Sequence, residues 1–431
     1  MIHKAIYMKR IILGSSLLFC ALFTAPAMHA QESVEVLIRE NGTERQESIE
    51  LPKSMTYPLD SLLNDWKAKN YIDLGKDCST STVNPMFSDS VYIDRLSRMP
   101  TVMEMPYNEI VRKFIDMYAG RLRNQVAFML SACNFYMPIF EEALDAYGLP
   151  LELKYLPIIE SALNPSAVSR AGACGLWQFM LATGKIYGLE SNSLVDERRD
   201  PIKATWAAAR YLKDMYDIYK DWNLVIAAYN CGPGNVNKAL ARAGEKSRTF
   251  WDIYDYLPRE TRGYVPAFIG ASYAYAYHRQ HGIELTEAPI PLATDTVRID
   301  RIMHLQQIAS TIDVPIETLR QLNPQYKLDI IPATTKPYTL VLPQRSLTQY
   351  VANEPAILAK DSLYLKEYIN PANLDKKRQE RSGTVYTVKK GDTLGAIARR
   401  YRVTTAQLMR WNGIKNAHKL RLGQRIRIEG R

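Results

Sequence analysis

From Asn108 onward, apolar residues recur at three- and four-residue spacing, and the run IVRKFIDMYAGRLRNQVAFMLSACNFYMPIFEEALDAYG predicts helix as far as Gly148. Pro150 suits the first turn of the next helix, whereas Pro157 within it predicts a kink or a second start. Asn164-Pro165 ends that element. ATWAAARYLKDMYDIY, within residues 201–219, predicts a strongly amphipathic helix. Another runs over Asn223 to Tyr229 until Gly-Pro-Gly at 232–234, and an Ala- and Tyr-rich helix covers Tyr264 to His281. Before this text, residues 31–107 are polar and irregular, apart from a helical patch, DSLLNDWKAKN.

After Gly282 the pattern changes. A Pro- and Thr-rich stretch predicts a linker, and residues 298–343 then alternate as strand, helix, helix, strand. Residues 344–383 are charged and contain prolines, which predicts an exposed connector. Residues 384–431 repeat the strand, helix, helix, strand order, with Asp392 or Thr393 as N-cap of the first helix.

At 431 residues the chain allows two to four cores, and 47% hydrophobic with 23% charged residues excludes a disordered polymer. Lys4, Lys9 and Arg10 precede an apolar run from Ile11 to Ala25, and Ala27 and Ala30 suit cleavage before Gln31, so residues 1–30 read as a signal peptide. That run is short for a membrane span. Cys20, preceded by LLF, offers a second route, a lipid anchor, although Phe19 is bulky for that cleavage. Exported or periplasmic location is expected either way, membrane-associated if Cys20 is lipidated.

From Val385 to the end, twelve Lys or Arg face Asp392 and Glu429, so this tail carries the whole formal excess of +10. A basic tail alone would suit RNA or anionic surfaces, but the apolar positions follow a folded module, and nucleic acid is not the expected partner. Without CxxC or HExxH, no metal and no cofactor are expected.

Within YLPIIESAL, Glu160 is the single charged side chain among apolar neighbours, a setting that raises a carboxyl's pKa and lets it donate a proton near neutrality. Glu160-Ser161 is followed by GLWQ (Gly175 to Gln178), AAYNCGPG (Ala227 to Gly234) and PRETRGYVP (Pro258 to Pro266). In this order and spacing the four blocks resemble the Slt-type lytic transglycosylase domain, over residues 143–283. The resemblance implies a mainly α protein: a lysozyme-like helical catalytic domain, with residues 108–142 as an N-terminal helical extension.

It also implies that the enzyme cleaves between N-acetylmuramic acid and N-acetylglucosamine in peptidoglycan without consuming water, the sugar's own 6-hydroxyl closing a 1,6-anhydro ring. Glu160 would then act as general acid and afterwards as general base. Ordinary glycosidases need two carboxylates; here the intramolecular hydroxyl replaces the second.

By the same resemblance Ser161 would orient the Glu160 carboxyl, and Gln178, Tyr229, Asn230, Glu260 and Tyr264 would line the substrate cleft. Trp177, where many relatives carry Met, reads as core. Arg259 or Arg262 is the expected partner of Glu260. Cys174 and Cys231 adjoin two of these blocks and would pair if the blocks meet closely; two buried thiols are the alternative.

VYTVKKGDTLGAIARRYRVTTAQLMRWNGIKNAHKLRLGQRIRI resembles a LysM domain, a small α+β (βααβ) module that binds N-acetylglucosamine-containing glycans, and residues 298–343 resemble a degenerate copy. Two loops, Gly391, Asp392, Thr393 and Leu394 with Asn412, Gly413 and Ile414, would contact glycan. Leu394, Ile397, Leu408 and Ile426 fall on the core positions, so Leu394 would offer only its backbone. Together these features predict a monomeric peptidoglycan lytic transglycosylase anchored by LysM. A goose-type lysozyme-like hydrolase and a non-catalytic peptidoglycan-binding protein are the alternatives.

Overall fold

The computed structural model describes residues 33–40, 43–56, 84–244, 247–285, 290–365, 383–389, 391–401, 403–414, 416–417, 420–421 and 423–429. The expected signal peptide, Cys20, Cys78 and the DSLLNDWKAKN patch lie outside them.

The first described residues form a hairpin rather than irregular chain. Strands β1 (Ser33–Glu40) and β2 (Thr43–Glu50) pair antiparallel with Val34 opposite Ile49. Val34, Val36 and Ile38 alternate inward and are buried with Ile49, the period-2 pattern of a half-buried strand. Leu37, exposed between Val36 and Ile38, masks this alternation in the sequence. A 3-10 turn, Lys53–Thr56, follows.

Helices α1 (Asp89–Ser97), α2 (Glu109–Asp116) and α3 (Arg123–Ala146) make the extension, and a π turn at Met117–Arg121 breaks the single long helix expected there. Asn108 starts α2 by accepting from the Val111 amide at 2.9 Å. After a 3-10 turn at Leu151–Tyr155 comes α4 (Leu156–Ser161), with Pro157 in its first turn, so the proline marks a second start. Next come α5 (Leu181–Ile186), α6 (Pro201–Tyr219), α7 (Trp222–Cys231), α8 (Pro233–Ala243), α9 (Arg259–Arg262) and α10 (Tyr264–Ala276). Asp200 caps α6 and Asp221 caps α7, each accepting backbone N–H groups.

One continuous core holds these helices. Helix α10 is buried from Tyr264 to Ala274, and it crosses α2 at Gly270, where an added Cβ would lie 2.9 Å from the Phe114 Cβ. That contact needs glycine for closeness.

Residues 290–365 form a second core. Strands β3 (Thr294–Ile299) and β4 (Ile302–His304), helices α11 (Leu305–Ile312) and α12 (Ile316–Leu322), then β5 (Ile330–Pro332) and β6 (Tyr338–Pro343) give two antiparallel pairs, β3–β6 and β4–β5. Residues 344–364, expected as connector, continue this unit. Helix α13 (Leu347–Leu358) buries Tyr350 and Ile357, and α14 (Asp361–Tyr364) receives a hydrogen bond from Gln307 at Asp361. Its apolar face packs on α11, which a reading of charge and proline content misses.

This unit docks on the loop between α5 and α6. Asp196 N–H donates to Gln325 O at 2.9 Å and Lys327 N–H to Leu194 O at 2.7 Å, while Tyr338 and Lys336 meet Glu190 at 3.0 and 2.6 Å. The last module pairs β7 (Gly383–Thr387) with β8 (Arg425–Glu429) around α15 (Leu394–Arg400) and α16 (Thr405–Asn412), over its own core of Leu394, Ile397, Leu408 and Ile426. Thr393, not Asp392, caps α15.

Candidate active site

Helix α4 is short because Ala162 and Leu163 both take left-handed backbone angles, φ 50° and 60°, which stop it one residue after Ser161. Glu160 therefore sits on a final turn, partly exposed at the cleft, with Ile158 and Ile159 just before it buried. Burial lifts its carboxyl from the ordinary 4.5 to about 7. A hydrogen bond from Tyr264 and the charge of Lys53 hold it down, and the charge of Glu260 pushes it further up.

Tyr264 Oη, at the start of α10, donates to Glu160 Oε1. Tyr229 Oη donates to Trp177 O at 2.7 Å, joining α7 to the GLWQ turn. Burial and the nearby Glu160 raise both phenols well above their usual range, so each stays a neutral donor. Tyr264 thus fixes the direction of the carboxyl.

The GLWQ turn is built on glycine and on strain. A Cβ at Gly175, φ 87°, would fall 1.7 Å from Arg198 O. Gln178 adopts φ 48°, and its amide nitrogen donates to Gly175 O at 2.8 Å, with Ala167 O at 3.3 Å. Trp177 is fully buried, its Nε1 bonded to Thr205 Oγ1 at 2.9 Å.

Several expected roles change. Ser161 does not bond the Glu160 carboxyl: its buried Oγ lies 3.0 Å from Pro157 O and 2.9 Å from Leu176 O, tying α4 to the GLWQ turn. One residue on from Glu160, its side chain leaves the helix about 100° round from that carboxyl. Asn230 accepts from Thr261 Oγ1 at 2.8 Å and so links α7 to α9.

Glu260 pairs with Lys53 at 3.5 Å rather than with Arg259 or Arg262. Arg262 turns to Glu47 at 3.2 Å and to Asp255 O at 2.6 Å, and Arg259 has no ion-pair partner among the described residues. Cys174 and Cys231 are free thiols. Cys174 is buried in the bridges to Val168 and Phe179, while Cys231 ends α7 with its Sγ 3.7 Å from Gly232 O, so the adjoining blocks meet through other side chains.

Lys53 is the residue that sequence reasoning missed. It arrives from the N-terminal segment, which Ser54 Oγ fastens to Ile159 O at 2.5 Å, beside Glu160. No motif around it announces that contact.

In the last module Asp392 accepts from Tyr386 Oη at 2.6 Å and from Lys389 N–H at 2.8 Å. Gly391 and Gly413 take positive φ, 91° and 61°. Asn412 Nδ2 donates to Leu408 O, Ile414 N–H donates to Met409 O, and the Leu394 side chain is buried. Asp392 and Asn412 thereby fix the two loops.

Three families match the chain: Transglycosylase SLT domain at residues 137–251, a lytic transglycosylase MltD LysM-like domain at 293–359, and LysM domain at 386–429. Membrane-bound lytic murein transglycosylase D of Escherichia coli (strain K12) is 30% identical over 331 residues, 76% of this chain and 70% of that protein. A putative soluble lytic murein transglycosylase of Haemophilus influenzae is 32% identical over 150 residues, 33% of this chain and 25% of its own length. Among solved structures, the 70 kDa soluble lytic transglycosylase of Escherichia coli aligns at 24% identity and TM-score 0.30, over 41% of this chain and 32% of that one. With its Slt-type domain set ahead of two LysM-type modules, the chain belongs to the family of membrane-bound lytic murein transglycosylase D.

Proposed function

We propose that this chain is an exported, cell-envelope enzyme that cleaves the β-1,4 bond between N-acetylmuramic acid and N-acetylglucosamine in peptidoglycan and leaves 1,6-anhydro ends. The observation that carries this reading is a single carboxyl, Glu160, shifted to about 7 and oriented by Tyr264. With this pKa the carboxyl is in part protonated at neutrality and can start as the acid, and giving up that proton leaves the carboxylate that serves next as base.

Protonated Glu160 gives its proton to the glycosidic oxygen as the C1–O bond breaks. The resulting carboxylate then takes the proton of the 6-hydroxyl as that oxygen bonds to C1. Positioning the hydroxyl over C1 supplies the entropic advantage. Tyr264 donates to the transient carboxylate, Tyr229 holds the GLWQ turn through Trp177 O, and Gln178 and Asn230 offer the amide atoms that the protein leaves free. Glu260, the other carboxylate near Glu160, is paired with Lys53, which favours transglycosylation over a two-carboxylate hydrolysis. The C-terminal module binds glycan and raises the local concentration of catalytic domain over the strands.

Mass spectrometry of soluble products from purified peptidoglycan tests this. Muropeptides lighter by one water are expected, and Glu160→Gln should abolish them while sacculus binding persists. Reducing ends would identify a hydrolase, and an active Glu160→Gln variant would remove the assignment.

A further inference from the structure

The unit of residues 290–365 is built into the catalytic domain rather than hung beside it. Val195, from the loop between α5 and α6, is buried in the core of that unit, and Leu322 of α12 joins the catalytic core in return. Val195 and Tyr326 form an antiparallel bridge, flanked by the backbone bonds from Asp196 to Gln325 and from Lys327 to Leu194. Lys327 Nζ also donates to Asn192 O at 2.7 Å.

The residues that follow lead to the GLWQ turn. Asp196 and Arg198 are both buried and pair through two bonds, Nε to Oδ1 at 2.9 Å and Nη2 to Oδ2 at 2.8 Å. The remaining nitrogen, Nη1, donates to Gly172 O at 2.9 Å and to Phe179 O at 3.0 Å, on either side of the turn. The turn in its own right holds α4 through Ser161 Oγ on Leu176 O, and α7 through Tyr229 Oη on Trp177 O. A planar guanidinium that serves one carboxylate and two carbonyls at once has a single orientation open to it.

The docked unit spends on this contact a loop that the last module leaves open. Asn323 Nδ2 donates to Leu319 O, four residues back, as Asn412 Nδ2 does to Leu408 O, so the two asparagines hold the same place at the end of the second helix. Beyond Asn412, Gly413 is exposed; beyond Asn323, Gln325 and Tyr326 are buried. We propose that residues 290–365 brace the catalytic turn, and that Asp196 and Arg198 are positioning residues carrying this brace from the docked unit to Glu160. Undocking would open the Asp196 backbone and the ion pair behind it to water, where a charge pair is far weaker than in a dry interior.

The inference rests on the glycan-cleaving reading above, and the test separates the two. The full chain is assayed on short soluble glycan strands, for which surface anchoring has no part. Lys327→Pro removes the N–H donated to Leu194 O and the ammonium on Asn192 O. It does so at the first residue of a 3-10 turn, Lys327–Asp329, after an extended Tyr326, where a proline ring suits its own unit. Arg198→Lys keeps a charge beside Asp196 and loses the fork that reaches both carbonyls. In each variant kcat should fall about tenfold or more, with KM within about twofold of the wild type. The alkaline limb of the pH–rate profile should also move from about 7 toward the ordinary 4.5, because a loosened turn lets water reach Glu160. Inactive molecules lower an apparent kcat but cannot move that limb. A wild-type kcat or an unmoved limb in Lys327→Pro overturns the brace, whether or not hydrogen exchange shows the β3–β6 amides still protected. The same result in Arg198→Lys overturns the route through the ion pair. Absence of anhydro products from the wild type strikes the reading beneath, and the brace with it.

Discussion

Glu160→Gln should stabilise the fold in alkaline solution and not in acid. Glu160 has a folded pKa of about 7 against an ordinary 4.5, so between these pH values the folded protein binds a proton that the unfolded chain releases. Its favourable contribution is complete below pH 4.5 and is lost as pH rises through 7. The difference corresponds to about 3 kcal/mol at full ionisation. Glutamine stays neutral throughout, but it gives up the charged acceptor that Tyr264 bonds, which costs about 1 kcal/mol. The net gain at pH 8 is thus about 2 kcal/mol, or roughly 4–8 °C in Tm for a cooperative unit of this size. Calorimetry of both proteins from pH 4 to 9 measures it. A melting difference that does not change with pH, or a wild type more stable at pH 8, would refute the buried, protonated carboxyl.

Three further outcomes follow from the same geometry. Lys53→Met removes a cation that lowers the Glu160 pKa, so the alkaline limb of the pH–rate profile should move to higher pH, whereas Glu260→Gln should move it lower; shifts in the same direction would contradict the charge arrangement. Gly175→Ala places a Cβ 1.7 Å from Arg198 O and needs φ 87°, so it should cost more than about 3 kcal/mol in urea unfolding, and a change below about 1 would show that the turn yields. Removing residues 383–431 should weaken pelleting with sacculi and leave the anhydro product unchanged, and undiminished pelleting would discount the anchor.

Periodic helices and motif order made the catalytic fold readable, because α6, α7, α10 and the last module are governed by local apolar spacing and caps. Glu160 was readable for the same reason, as a lone charge in an apolar run. What the chain order hid was contact at a distance. Lys53 meets Glu260 just after a hairpin whose inward Val34, Val36 and Ile38 alternate with Glu35 and an exposed Leu37, and nothing near it in sequence names its partner. Ser161 looked like a carboxyl ligand because it adjoins Glu160, yet adjacent residues on a helix face different directions. Helix α13 was hidden by Pro355 and by the charged text that follows it, while Tyr350 and Ile357 carried the packing.

The N-terminal hairpin also bears on how transferable the catalytic unit is. A fragment cut to the family boundaries at 137–251 would keep Glu160 and the GLWQ turn, but it would lose Tyr264, Lys53 and one side of the cleft. Such a fragment would be a different catalyst rather than a minimal one. The proton-transfer step is accordingly tuned from a segment that contributes no reacting atom.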